Sequence, residues 1–285
     1  MKQLTIISGK GGTGKTTIAA AFMALSEEAV LVDADVDAPN LHLIMHPEHM
    51  AEEDITGGEV ARINDEKCTQ CGKCETACQF HAIDEFWINP LFCRGCAVCP
   101  LVCPVDAIDL LPKTLGKMWV SRTPYGPFVH PRMNIGESGT GKFITALRNK
   151  AVQVAQEENR PLILIDGSPG IGCSVIASIT GADGVLAVTE PTRSGLHDLE
   201  RALDIAAHFH IPAWVCINKA DLYERCAAQI ADLVRSRGIE VVGGIPYDPE
   251  VSRAMAQGTP VLESGRASVI EGIKAVWKKV SEALL

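Results

Sequence analysis

Four cysteines in the frame Cys68-x2-Cys71-x2-Cys74-x3-Cys78 recur 25 residues later as Cys93-x2-Cys96-x2-Cys99-x3-Cys103. Ala82-Ile83-Asp84 likewise recurs as Ala107-Ile108-Asp109, so the block is an internal duplication with two equivalent sites. The other three of the 11 cysteines, Cys173, Cys216 and Cys226, stand singly. An odd total, one dense block and a first segment (Met1–Ser8) too short and interrupted for a signal peptide argue against an exported disulfide framework. Clustered thiolates in a reducing compartment hold metal, and a cytoplasmic location is expected. Structural zinc is the simpler occupant, but eight thiolates in overlapping frames suit it poorly.

The 285 residues suffice for one large or two modest domains, and 47% hydrophobic with 21% charged residues describes a globular chain. A formal net charge of −9 disfavours a nonspecific nucleic-acid coat, because phosphate binding needs clustered Lys and Arg. No apolar run reaches the roughly 18 residues of a membrane span. On both sides of the cysteine block, short apolar runs alternate with helical patterns: Leu4–Ile7, Ala29–Val32, Leu162–Ile165, Gly184–Val188, Ala213–Ile217 and Glu240–Val242. Continuous apolar strands alternating with helices predict a mainly parallel sheet covered on both faces. Lys117–Ile135 reads instead as a hairpin around Thr123–Pro127. The expected organisation is an α/β domain over 1–60 and 116–285, with a small α+β module inserted at 61–115.

Gly9-Lys10-Gly11-Gly12-Thr13-Gly14-Lys15-Thr16 follows the first strand and opens a helix, the context a phosphate-binding loop requires. The glycines turn backbone N–H groups toward phosphate oxygens, Lys15 supplies charge, and the Thr16 hydroxyl is a Mg²⁺ ligand. Gly9, Gly11, Gly12, Thr13, Gly14, Lys15, Thr16 and Thr17 are therefore the expected nucleotide contacts. With its extra lysine, Lys10, this loop resembles the deviant Walker A ATPases of the MinD, ParA and nitrogenase iron protein group. The resemblance implies a nucleotide-dependent homodimer in which Lys10 reaches the partner's phosphates. It also implies that Asp35, in Asp33-Ala34-Asp35, orients the attacking water of switch I. Asp166, at the end of Leu162–Ile165, would hold Mg²⁺ through water, and the Gly170 N–H would sense the γ-phosphate. Asn218-Lys219-Ala220-Asp221 is ambiguous: Asn218 with Asp221 is the guanine-reading pair of GTPases, whereas the MinD-like group uses the asparagine for adenine. Ile245-Pro246-Tyr247-Asp248 resembles the segment of that group that lies against the base, so Pro246 and Asp248 are further candidates and ATP is favoured over GTP.

The cysteine block resembles a bacterial two-cluster ferredoxin over nearly its whole length. In that pattern the fourth cysteine of each frame ligates the other cluster. The resemblance assigns Cys68, Cys71, Cys74 and Cys103 to one [4Fe–4S] cluster, and Cys93, Cys96, Cys99 and Cys78 to the second. Gln79 departs from it, standing where the second frame keeps Pro104. Gly136–Lys142 imitates a phosphate loop but has Phe143 in place of Ser or Thr, and reads as a turn into a helix. Cys173 is either a small core residue or a metal contact near switch II. The apolar stripe of the last helix reads as a cover for the sheet rather than a membrane-seeking tail. Together these features predict an ATP-binding and hydrolysing switch with two [4Fe–4S] clusters, serving electron delivery or metallocofactor maturation on a redox or metalloprotein partner. The alternative is a MinD/ParA-like positioning ATPase with structural clusters. Neither nucleic-acid binding nor stable membrane insertion is expected.

Overall fold

The computed structural model describes residues 1–137 and 141–285. Strand β1 (Lys2–Ser8) leads through the glycine loop into α1 (Lys15–Ser26), then β2 (Ala29–Asp33) and the single turn α2 (His42–Met45). A long strand, β3 (Glu48–Ile63), precedes the cysteine block, which contains α3 (Lys73–Ala77), β4 (Ile83–Asp84), β5 (Trp87–Ile88) and α4 (Val98–Val102). The hairpin β6 (Ile108–Thr123) and β7 (Gly126–Met133) follows. The rest alternates: α5 (Gly141–Glu157), β8 (Leu162–Pro169), α6 (Cys173–Ile179), β9 (Gly184–Thr189), α7 (Arg193–His208), β10 (Ala213–Asn218), α8 (Glu224–Ser236) and β11 (Glu240–Ile245). Helices α9 (Pro249–Ala256), α10 (Val261–Ser264) and α11 (Ala267–Leu284) close the chain.

Among the described residues, nine strands form one sheet in the order β11-β10-β9-β1-β8-β2-β7-β6-β3, and β1 pairs in parallel with both β8 and β9. Alternation along β1 divides the core. Leu4 and Ile6 face the layer containing Phe22 of α1 and Val269, Ile273, Val276 and Val280 of α11. Ile7 faces α6, α7 and α8 through Val175, Leu199 and Ile230. The stripe of the last helix is thus buried sheet cover. Among the described residues no helix is long and apolar enough to cross a membrane. Chain order departs from spatial order at β1, which lies between β8 and β9; such a reversal opens a crevice at the strands' carboxyl ends.

The chain forms two compact units, one of Met1–Glu53, Met118–Arg132 and Gly139–Leu285, the other of Asp54–Lys117 and Met133–Ser138. The expected insert limits of 61 and 115 fall inside long strands, because β3 and β6 each begin in one unit and end in the other. Within the second unit, the Asn134 amide and side chain donate to Leu115 and Thr114, and Lys113 pairs with Glu137 at 2.6 Å. These bonds tie the residues after β7 to β6. Of the glycine-rich segment Gly136–Lys142, residues 138–140 lie outside the described residues; α5 begins at Gly141.

In the first unit, the Ser121 hydroxyl lies 2.9 Å from His130 Nε2 and 3.1 Å from His49 Nδ1. Burial, with His49 and His42 nearby, pushes His130 down to about 3. An unfolded histidine takes its proton near pH 6.5, so between those values the unfolded state binds more protons and stability falls as pH drops. Between pH 7 and pH 5 the protein should therefore lose about 2 kcal/mol more than a His130→Gln variant. Urea unfolding at the two pH values measures the difference; parallel losses would show that His130 ionises freely.

Candidate functional site

A cleft of about 620 Å³ opens at the carboxyl ends of the central strands of the first unit. The loop from Gly11 to Thr17 forms its floor. Gly14 adopts φ +97° as the residue before α1, a conformation open to glycine, so the loop's amides converge at the helix N-terminus. A Cβ at Gly14 would also fall 2.2 Å from Asn218 Nδ2. Thr16, Thr17, Asp35, Asn218, Pro246 and Asp248 line the cleft as well. Its far end is apolar, built from Ile245, Pro246, Val251 and Met255. One end is therefore suited to phosphate and the other to a flat base.

Lys15 is buried beneath the loop, its Nζ 2.7 Å from Asp166 Oδ1 and 3.8 Å from Asp35 Oδ2. Burial works against its charge, but Asp166, Asp35 and Asp33 outweigh this and leave its pKa above the ordinary value. Burial and the neighbouring Asp166 push Asp33 well above the carboxylate range, although the amides of Asp35 and Leu41 both donate to it. Burial also raises Asp35, against the pull of Lys15. Three carboxylates thus share one buried ammonium, an arrangement that favours an added cation. Asp166 Oδ2 and Thr13 Oγ1 are buried without a hydrogen-bond partner among the described residues. Orphaned buried acceptors of this kind suit a hydrated Mg²⁺ and a phosphate.

Not every expected residue reaches the cleft wall. The Gly170 amide donates to the Ser8 carbonyl at 2.8 Å, so sensing a phosphate requires that bond to be exchanged. Gly9 is packed against α7, where a Cβ would fall 2.3 Å from Asp198 Cβ. Asp221 is exposed and its Oδ1 accepts from the Tyr247 amide at 2.6 Å, which fixes the 245–248 turn. Asn218 donates to the Thr13 carbonyl at 2.7 Å, holding the loop. Asp248 caps α9 through the Glu250 amide and also accepts from the Arg266 amide.

Lys10 lies outside the wall too. Its Nζ is 2.6 Å from Glu190 Oε1, 3.0 Å from Ser194 Oγ and 3.4 Å from Thr192 Oγ1. Lys219 Nζ is 2.9 Å from Glu190 Oε2 and donates to the Gly12 carbonyl at 3.1 Å. Burial opposes the Glu190 charge, but these two lysines hold its carboxyl below the ordinary range. Glu190 carries no sequence signal, because an acid after a strand is common; Lys219 was visible only as part of an ambiguous motif.

The second unit repeats its local geometry with its sequence. Asn64 N donates to Ala107 O at 2.7 Å, and Asn89 N donates to Ala82 O at 2.7 Å, so each repeat is closed by the other. Gly72 and Ala97 both take positive φ before α3 and α4. The Ala82 amide donates to Cys78 Sγ at 3.4 Å and the Ala107 amide to Cys103 Sγ at 3.3 Å. Two cavities result. Cys68, Cys71, Cys74 and Cys103 line one; Cys78, Cys93, Cys96 and Cys99 line the other. Among the described residues, no three His, Cys, Asp or Glu side chains converge as a single ion requires. Zinc would need four sulfurs within about 2.3 Å of one point, whereas a cubane spaces its thiolates around its corners. Burial, with Cys93 nearby, pushes Cys99 up to about 11, and burial raises Cys74. Two sets of four cysteines, each completed by one residue of the other repeat, form a soft thiolate donor set of the kind that soft metal centres take. The asparagines were overlooked in the sequence, although the 25-residue repeat already pairs Ile63-Asn64 with Ile88-Asn89. Cys173 is exposed at the start of α6.

The CobQ/CobB/MinD/ParA nucleotide binding domain matches the sequence over residues 4–261. An uncharacterized protein of Methanocaldococcus jannaschii is 32% identical over 283 residues, 98% of this chain and 96% of its own. An iron-sulfur cluster carrier protein of Aquifex aeolicus is 21% identical over 298 residues, 99% of this chain and 67% of its own. The structure of the septum site-determining protein MinD of Pyrococcus horikoshii, complexed with Mg-ADP, aligns with a TM-score of 0.61 at 15% identity. That alignment covers 99% of this chain and 96% of the other, and shows a shared fold.

Proposed function

Because the chain belongs to the CobQ/CobB/MinD/ParA nucleotide binding domain family, we propose that it is an ATP-hydrolysing switch serving an iron–sulfur module on the same chain. The observation that carries this reading is the pair of cavities, each lined by three cysteines of one repeat and one of the other. Two [4Fe–4S] clusters held there would supply one-electron transfer, or be cargo for a metalloprotein partner. The relative named as an iron-sulfur cluster carrier protein supports the cargo variant. The module is the compact unit of Asp54–Lys117 and Met133–Ser138, and the segments around it form the nucleotide-binding domain.

Each residue then has a distinct task in the cleft. The amides of Gly11–Lys15 cradle the phosphates, and Lys15 exchanges part of its contact with Asp166 for them. Thr16 and Asp166 hold Mg²⁺, the latter through water. Asp35 is free to orient the attacking water once Lys15 moves toward phosphate. The apolar slot beside Pro246 receives adenine, and the engagement of Asp221 with Tyr247 supports ATP rather than GTP. Lys10 acts across a nucleotide-dependent homodimer in the cytoplasm. Covalent continuity from Asp35 through α2 into β3, which ends in the second unit, supports coupling of nucleotide state to that unit. Anaerobically isolated protein should contain about eight irons and eight acid-labile sulfides per chain. Stoichiometric zinc without iron would overturn the reading.

A further inference from the structure

Lys10 is the residue on which the dimer reading turns, and it is already occupied. Three oxygen-bearing side chains hold it: Glu190 and Thr192 on the turn after β9, and Ser194 in the first turn of α7. A lysine whose charge is neutralised by Glu190 at 2.6 Å cannot at the same time stabilise phosphate charge on a second chain. We propose that Glu190 is a latch that holds Lys10 in cis, and that closure of the ATP-bound dimer requires Lys10 to pass from Glu190 to the partner's phosphates. The inference rests on the trans role of Lys10 proposed above.

The latch is built to open at low cost. Lys10 is 31% exposed, so the pair is screened and contributes modestly. Glu190 is not left as a bare buried charge when Lys10 departs, because its second oxygen keeps Lys219 at 2.9 Å. Lys219 stays anchored on the Gly12 carbonyl, so the loop beneath the phosphates keeps its shape while Lys10 swings out. Triphosphate carries more negative charge than one carboxylate and wins the exchange only when a second chain brings its own phosphates within reach. Glu190 is thus a positioning residue that sets how much ATP-bound protein is needed for closure.

Two latches open per dimer, so a small gain at each is doubled. Glu190→Gln keeps the shape and removes the charge, and should lower the protein concentration for half-maximal ATP-dependent dimerisation about fivefold. Ser194→Ala, which removes one Lys10 contact and leaves the Thr192 cap of α7 intact, should shift it in the same direction by a smaller factor. Sedimentation with ATP and Mg²⁺, paired with ATP turnover at sub-saturating protein, reads both. A Glu190→Gln protein that melts like the wild type but dimerises equally or more weakly overturns the latch. If Glu190→Gln fails to fold, an unchanged Ser194→Ala overturns it instead. Lys10→Ala separates the two claims: dimerisation and turnover at wild-type levels in that variant would end the trans reading itself, whereas its failure beside an unchanged Glu190→Gln ends only the latch.

Discussion

Replacing Cys78 with serine will remove about half of the iron and sulfide, and the surviving half will belong to the cavity of Cys68, Cys71 and Cys74 rather than to that of Cys93, Cys96 and Cys99. Cys78 is sequence-adjacent to the first group but lines the cavity of the second. The cause is the interleaved backbone: Asn64 bonds to Ala107 and Asn89 to Ala82, so each repeat's last cysteine is delivered to the other's site. Cys78→Ser and Cys93→Ser should then leave the same electron paramagnetic resonance signal after reduction, while Cys74→Ser leaves the other. A Cys78→Ser protein that matched Cys74→Ser would mean that each frame fills its own site.

The second large effect is expected at Lys15. Alanine there leaves Asp33, Asp35 and Asp166 facing one another without their shared ammonium. Breaking a buried pair of this kind costs about 3 kcal/mol or more, so Lys15→Ala should melt earlier as well as lose nucleotide binding. Binding should fall at least about a hundredfold, since the phosphates lose the charge that the loop presents to them. Asp35→Ala should differ in kind, retaining ATP with turnover down about a hundredfold, if its carboxylate orients the attacking water as proposed. Fluorescent-nucleotide titration and single-turnover hydrolysis separate the two; normal hydrolysis by Asp35→Ala would remove it from the mechanism.

The central strands were legible because they are apolar runs largely buried on both faces, whereas the exposed, Glu- and Gly-rich β3 carried no such signal. The phosphate loop was legible because glycine spacing and a flanking strand and helix constrain it together. The grouping of the eight cysteines around two cavities follows the sets that the ferredoxin resemblance implies. What escaped depends on contacts distant in sequence. Glu190 meets Lys10 and Lys219 only after β1, β9 and β10 align. The bond from the Tyr247 amide to Asp221 likewise joins two segments that the sequence keeps apart. The limits at 61 and 115 missed the continuation of β3 and β6, since a change of composition marks where cysteines begin, not where a strand ends.

Coupling between nucleotide state and the cysteine module is the account's central claim, and a redox titration tests it most directly. Midpoint potentials followed by electron paramagnetic resonance in excess ADP and in ATP with Mg²⁺, using Asp35→Ala to prevent turnover, should differ between the two nucleotides. The affinity for ATP should change with reduction by the factor that this difference requires. Equal potentials in both nucleotides, from protein that sedimentation shows to dimerise with ATP, would contradict the account and leave two independent modules on one chain.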